Sequence, residues 1–210
     1  MMVPMAIDLL ITGFGAFPGV RENPSARLAL ALGRLTRWHR LGWTVSASEL
    51  PVGYGPMEQS LTRLLVPEPR AVLMFGIAAR SKIVRVEMLA RNRTSRTQRD
   101  ASGRLPKSAV LDAGPPILKG RAPARALATC LQESGLPAGL SRNAGPYLCN
   151  AGYRFVLRSI PEATRVIFIH IPRVQSRQDR RGVVFPALLK GAERVALRLA
   201  LAARLSRAQR

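Results

Sequence analysis

The sequence predicts an α/β protein, a three-layer α/β/α sandwich around a mostly parallel, twisted sheet. Three observations lead there. Short, nearly continuous apolar runs at 6–12, 71–75 and 165–171 are each closed by Gly or Pro, the pattern of strands buried on both faces. Helical stripes of apolar residues lie between those runs, as in units of strand, helix and strand. The chain has 210 residues and is 47% hydrophobic, enough to bury the core of one domain and too apolar for a disordered tail. A single domain over 1–210 is therefore expected.

The elements follow in order. Ala6 to Thr12 reads as the first buried strand, and Gly13 to Gly19 as the loop after it. Asn23-Pro24 reads as an N-cap followed by Pro at the first helical position, with Leu28, Ala31, Leu32 and Leu35 as the apolar stripe of that helix. Leu41–Leu50 is expected as a strand, Met57–Val66 as a helix stopped by Pro67, and Ala71–Phe75 as a buried strand ending at Gly76. Ile83–Leu89 has strand composition with charge in its middle. From Arg91 to Arg121 the chain is rich in Arg, Ser, Gly and Pro without periodicity, which suggests a long basic surface excursion and a candidate lid. A helix over 124–134, a turn at 143–150 leading into a helix to about Ser159, a strand over 165–171 and an amphipathic helix from Pro186 to Ser206 complete the reading.

Composition narrows the function. Two cysteines in a chain of this length are no disulfide framework, so a reducing, cytoplasmic setting is expected. The opening residues have no basic region ahead of an apolar one, and Arg198 interrupts the late apolar run, so neither a leader nor a membrane span is expected. His39, His170, Cys130 and Cys149 show no zinc-ligand spacing, and neither metal nor cofactor is expected. The net charge of +21 would suit a polyanion. All but four of the 33 basic residues are arginine, however, and they are scattered over the chain, unlike the clustered footprint of a nucleic-acid-binding surface.

Three side chains could carry chemistry. Cys149 opens a helix after a Gly-Pro turn, where the free N–H groups and the helix dipole favour a thiolate. His170 ends a buried strand, at the carboxyl edge where open α/β sheets place their sites. Cysteine with a distant histidine is the minimum for a nucleophile and its base, although a small buried cysteine and a satisfied core histidine have the same appearance. Glu87 stands among apolar neighbours and needs a cationic partner, either an imidazolium or one of the many arginines.

These residues fall in blocks that resemble the pyroglutamyl peptidase I family, also called pyrrolidone-carboxylate peptidases. Thr12-Gly-Phe-Gly-Ala-Phe-Pro-Gly19 with Glu22-Asn-Pro-Ser25 resembles the family's T-G-F-x-x-F-x-G…N-P-[ST] signature. Val86-Glu-Met-Leu-Ala-Arg-Asn92 resembles its glutamate block, and Ser141-Arg-Asn-Ala-Gly-Pro-Tyr-Leu-Cys-Asn150 its cysteine block. Phe168-Ile-His-Ile-Pro172 matches its histidine block. The likeness runs through nearly the whole chain in family order.

The resemblance implies a thiol peptidase that removes an N-terminal pyroglutamyl residue from peptides. Cys149 would be the nucleophile, His170 the base and then the acid, and Glu87 the group orienting the imidazole. It implies a lactam pocket formed partly by Phe14, Phe17 and Asn23. Ile77 joins them, because Gly76-Ile-Ala-Ala-Arg-Ser81 stands where the family has G-x-x-x-G-R lining its pocket. Aromatic walls and a few amide hydrogen bonds suit a flat, uncharged lactam. A homo-oligomer, commonly a tetramer, is implied as well. Two other readings stand beside this one: a polyanion-binding protein on the same scaffold, and the same triad acting on another blocked N-terminal group.

Overall fold

A computed structural model describes residues 6–17, 19–20, 22–175 and 180–208. The first apolar run becomes β1 (Leu9–Phe14), buried along its whole length. Asn23 caps α1 (Pro24–Gly33), its side chain accepting from the Ser25 N–H with Pro24 at the helix start. The chain continues through α2 (Thr36–Arg40), β2 (Val45–Leu50), α3 (Tyr54–Leu64), β3 (Ala71–Ile77), β4 (Val84–Glu87), β5 (Leu89–Arg91) and β6 (Ile117–Lys119). Then come α4 (Ala124–Gln132), β7 (Ala138–Ser141), α5 (Leu148–Ser159), β8 (Arg165–Ile171) and α6 (Phe185–Ala208).

The main sheet has the order β2-β1-β3-β8-β4-β7. Strands β2, β1, β3 and β8 run parallel, and β4 pairs antiparallel with β8 and parallel with β7. The expected three-layer architecture is present. On one face Leu9, Ile11, Leu73, Phe75, Ile167 and Ile169 pack with α1, α4 and α6. On the other, Leu10, Val72, Met74, Val166 and Phe168 pack with α3 and α5. Continuous apolar strands are what two covered faces require.

Several boundaries differ from the sequence reading. The single strand expected over 83–89 is two. Glu87 ends β4, the Met88 N–H donates to the Ser141 carbonyl, and the Met88 carbonyl accepts from the Gly120 N–H. Beyond that point β5 pairs with β6 in a separate two-stranded sheet. The strand expected from Leu41 begins at Val45 because Leu41 is the C-cap of α2 and the chain then turns at Gly42, whose φ is 62°, and α3 starts at Tyr54 rather than Met57. Strand β7 reads Ala-Gly-Leu-Ser, too short and weakly apolar to announce itself.

The basic excursion over 91–121 is irregular apart from β6, but it is fastened down rather than standing off as a lid. Asn92 donates to the carbonyls of Asp112 (2.7 Å) and Gly114 (3.0 Å). Asp112 accepts two hydrogen bonds from the buried Arg154 of α5, at 2.7 and 2.8 Å. At its far end Arg121 donates to carbonyls at the end of α5, among them Pro161 at 2.8 Å. Among the described residues no helix is long and apolar enough to cross a membrane.

Candidate active site

Strand register builds the site. Gly76 of β3 is paired with His170 of β8, and His170 with Arg85 of β4. The three form one row across the sheet near the carboxyl end of β8. Side chains alternate along a strand, so Arg85 and Glu87 share a face, and Val84 and Val86 take the other with α4 and α6. Glu87 lies opposite Phe168, two rows below His170 and therefore on the same face.

Helix α5 covers this row. The turn before it needs glycine at position 145, whose φ of 81° lies in the left-handed region. Tyr147 is the extended N-cap residue, so Cys149 is the second residue of the helix and its N–H has no intrahelical carbonyl to meet. Its sulfur sits over the bare Cα of Gly76: a Cβ added there would lie 2.8 Å from Cys149 Sγ and 2.8 Å from Phe168 Cζ. Asn150, fully buried, clamps the helix start to β5. It accepts from the Arg91 N–H at 2.8 Å and donates to the carbonyls of Arg91 at 2.8 Å and Arg93 at 3.2 Å.

The polar groups converge on the imidazole. His170 Nδ1 lies 2.8 Å from Glu87 Oε1. An ionised carboxylate only accepts, so Nδ1 carries a proton toward Glu87 and Nε2 is the ring nitrogen left for the Cys149 sulfur, whose charge acts on the ring. Glu87 has no exposed surface and His170 only 4%. Burial works against the imidazolium, but the Cys149 sulfur and the Glu87 carboxylate outweigh it and push the His170 pKa up to about 9. Burial likewise works against the Glu87 carboxylate. Hydrogen bonds and charge from His170, with smaller contributions from Ser141 and Arg85, hold its pKa below the usual range. The Tyr153 hydroxyl donates to the Glu87 carbonyl at 3.1 Å, fixing the strand end that presents the carboxylate.

The three residues singled out for chemistry therefore meet in one place. The pocket residues fare differently. Phe14 is buried beneath α5, facing Gly152, and Phe17 is half-buried against the same apolar cluster. Asn23 turns its amide inward: Nδ2 donates to the Gly15 carbonyl at 3.0 Å, and Oδ1 accepts from the Ser25 N–H and hydroxyl. It shapes the loop of residues 13–17. Ile77 is not brought to the sulfur. It follows Gly76 in β3, and strand alternation turns it to the opposite face. Pro18, within the first sequence block, lies outside the described residues.

Sequence reasoning read Gly76 only as a strand end and the start of a pocket block, and gave Asn150, Tyr153 and Arg85 no role. Only Arg85 left a signal, because its spacing of two from Glu87 in a strand places both on one face. Among the described residues no group of three or more His, Cys, Asp or Glu side chains is placed to hold a metal ion.

A sulfur, an imidazole and a carboxylate gathered at the edge of an α/β/α sheet are the constituents of a cysteine-dependent hydrolase. Residues 7–206 match the family described as pyroglutamyl peptidase. The pyrrolidone-carboxylate peptidase of Gloeobacter violaceus is 33% identical over 176 residues, covering 82% of this chain and 84% of the relative. That of Thermococcus kodakarensis is 32% identical, covering 79% and 81%. The crystal structure of pyrrolidone carboxyl peptidase from Thermus thermophilus superposes with a TM-score of 0.82 at 29% identity, over 90% of this chain and 98% of that one. The chain belongs to the pyroglutamyl peptidase family, and it is an enzyme of the cysteine-peptidase class.

Proposed function

We propose that the protein removes an N-terminal pyroglutamyl residue from peptides through a Cys149 thioester. The Cys149 sulfur attacks the carbonyl carbon of the pyroglutamyl residue, forming a C–S bond. His170 delivers its proton to the departing amine as the C–N bond breaks, then takes a proton from water, which attacks the thioester and releases pyroglutamate and the thiol. Glu87 holds the imidazole in the tautomer that presents Nε2 to the sulfur and stabilises its charged form. The Cys149 N–H at the start of α5 stabilises the oxyanion.

The observation that carries this reading is the convergence of Cys149, His170 and Glu87 around one row of the sheet, in a chain whose family is named for this activity. Phe14 and Phe17 supply the apolar side of the lactam pocket. Asn23 supports that pocket through the loop it braces. A lactam has no ammonium group, so recognition needs no carboxylate opposite the substrate's end. As part of the same reading, the enzyme works in a reducing, cytoplasmic compartment, where Cys149 stays a thiol, and assembles as a homo-oligomer.

The test is hydrolysis of a pyroglutamyl anilide beside prolyl, alanyl and N-acetyl anilides. Release of aniline from the pyroglutamyl compound alone, abolished by alkylation of Cys149, is the expected result. Preference for another blocked residue would replace the substrate and leave the chemistry. Full activity after Cys149→Ser would overturn both.

A further inference from the structure

We infer that Arg85 is a positioning residue of this site, sharing the Glu87 carboxylate with His170 and tying it to the turn that leads into α5 and Cys149. The inference rests on the reading of Cys149, His170 and Glu87 as the reacting set. Arg85 Nη2 lies 2.7 Å and Nε 3.1 Å from Glu87 Oε1, the same oxygen that receives His170 Nδ1. The same Nη2 donates to the Asn143 carbonyl at 2.9 Å, six residues before the cysteine. One guanidinium therefore spans β4 and the turn into α5.

Register makes this unavoidable. Arg85 is the row partner of His170, on the side opposite Gly76, so the imidazole has the sulfur on one flank and a permanent cation on the other. The groups around the His170–Glu87 pair from the surrounding elements are Cys149 of α5, which acts on the imidazole, and Arg85 of β4, Ser141 of β7 and Tyr153 of α5, which meet Glu87. Strand β3 presents only Gly76. Arg85 is the one permanent cation in this set.

Two consequences follow. A guanidinium forks to two acceptors, as an ammonium on a flexible stem does not, so it fixes the carboxylate oxygen while holding the turn into α5 in register with it. A cation beside an imidazolium also disfavours the charged ring. Arg85 therefore limits how far Glu87 and the sulfur extend the pH range over which His170 keeps its proton.

The test compares wild type, Arg85→Gln and Arg85→Lys in two ways: the pH profile of kcat/KM on a pyroglutamyl anilide, and the pH dependence of Cys149 alkylation by iodoacetate, followed at the Cys149 peptide by mass spectrometry. Iodoacetate is an anion, so its rate falls when the imidazolium beside the sulfur loses its proton. With Arg85→Gln the alkaline limb is expected to move up by about 0.5–1 pH unit in both measurements, with kcat reduced about tenfold by loosened alignment. Arg85→Lys keeps the charge and loses the fork, so its limb stays within about half that shift while kcat still falls.

A uniform loss in Arg85→Gln with an unmoved limb would reduce Arg85 to a structural contact and overturn the inference, as would profiles that superpose on wild type. If Arg85→Gln does not fold, Arg85→Lys decides: unchanged kcat in that variant overturns the positioning role. Should wild type fail to cleave the anilide while its alkylation limb still shifts with Arg85, the substrate reading fails and the role of Arg85 stands.

Discussion

Gly76 and His170 stand side by side on adjacent parallel strands, and the side chain that Gly76 lacks is the space in which the Cys149 sulfur rests beside the imidazole. The reacting group is thus placed by an absence on one strand and a ring on the next. Gly76→Ala adds a methyl group 2.8 Å from the sulfur, closer than van der Waals contact allows. The expected outcome is a loss of about 100-fold in kcat/KM with the far-ultraviolet circular dichroism unchanged. Full activity in this variant would mean that the sulfur works from another position.

Cys149→Ser replaces the sulfur by a hydroxyl that the imidazole must deprotonate. A fall of about 1,000-fold or more in kcat is expected, as for removal of a nucleophile that acts as one unit with its base. Rapid quenching of wild type with substrate, followed by intact-mass measurement, should reveal a pyroglutamyl adduct on the peptide containing Cys149 and none on Cys130.

The proton on His170 leaves a signature in stability. Its pKa in the folded chain is about 9, against about 6.5 for an unfolded imidazole. A pKa raised by folding gives stability that is fully present below about 6.5 and is lost as pH climbs through about 9. Urea unfolding of wild type and His170→Asn should therefore differ most at pH 6 and least above pH 9. A difference that stays constant over this range would exclude the raised pKa.

Asn150→Ala removes three hydrogen bonds inside a fully buried clamp. At about 1 kcal/mol each the cost is about 3 kcal/mol, and the thermal midpoint should fall by about 6–12 °C for a chain of this size. Differential scanning calorimetry measures it. Because the clamp holds the first turn of α5, kcat should fall as well, at temperatures where the variant is fully folded.

Asp112→Ala strands the guanidinium of Arg154, which is only 1% exposed. The two are joined at 2.7 Å, and the ion pair holds Asp112 well below the usual carboxylate range. A buried charge left without its partner costs about 3–5 kcal/mol. Limited proteolysis should then cut within the segment 93–113 faster than in wild type. Wild-type resistance in this variant would mean that the excursion is held by its other contacts.

Much of this protein was legible in the letters because burial periodicity is local. Continuous apolar runs give strands covered on both faces, Asn23-Pro24 gives a helix start, and the glycine turn before Cys149 gives a second. Those patterns, with the motif resemblance, led to Cys149, His170 and Glu87. What local pattern cannot carry is register. Glu87 and His170 are 83 residues apart, and β4 enters the sheet against the direction of its neighbour β8, a choice made by pairing energies across the whole sheet.

The pairing of β8 with β3 on one side and β4 on the other decided which residues share the row with His170: Gly76, which admits the sulfur, and Arg85, which shares the carboxylate. Alternation along β3 sent Ile77 to the far face, and the ion pair of Asp112 with Arg154 moors the segment that the sequence offered as a candidate lid. The sequence by itself determined which side chains are buried and which elements they form, because the cost of exposing apolar surface is paid residue by residue. Only the tertiary structure decided which polar groups meet, because a hydrogen bond of 2.8 Å depends on the register of strands that the chain brings together from distant positions.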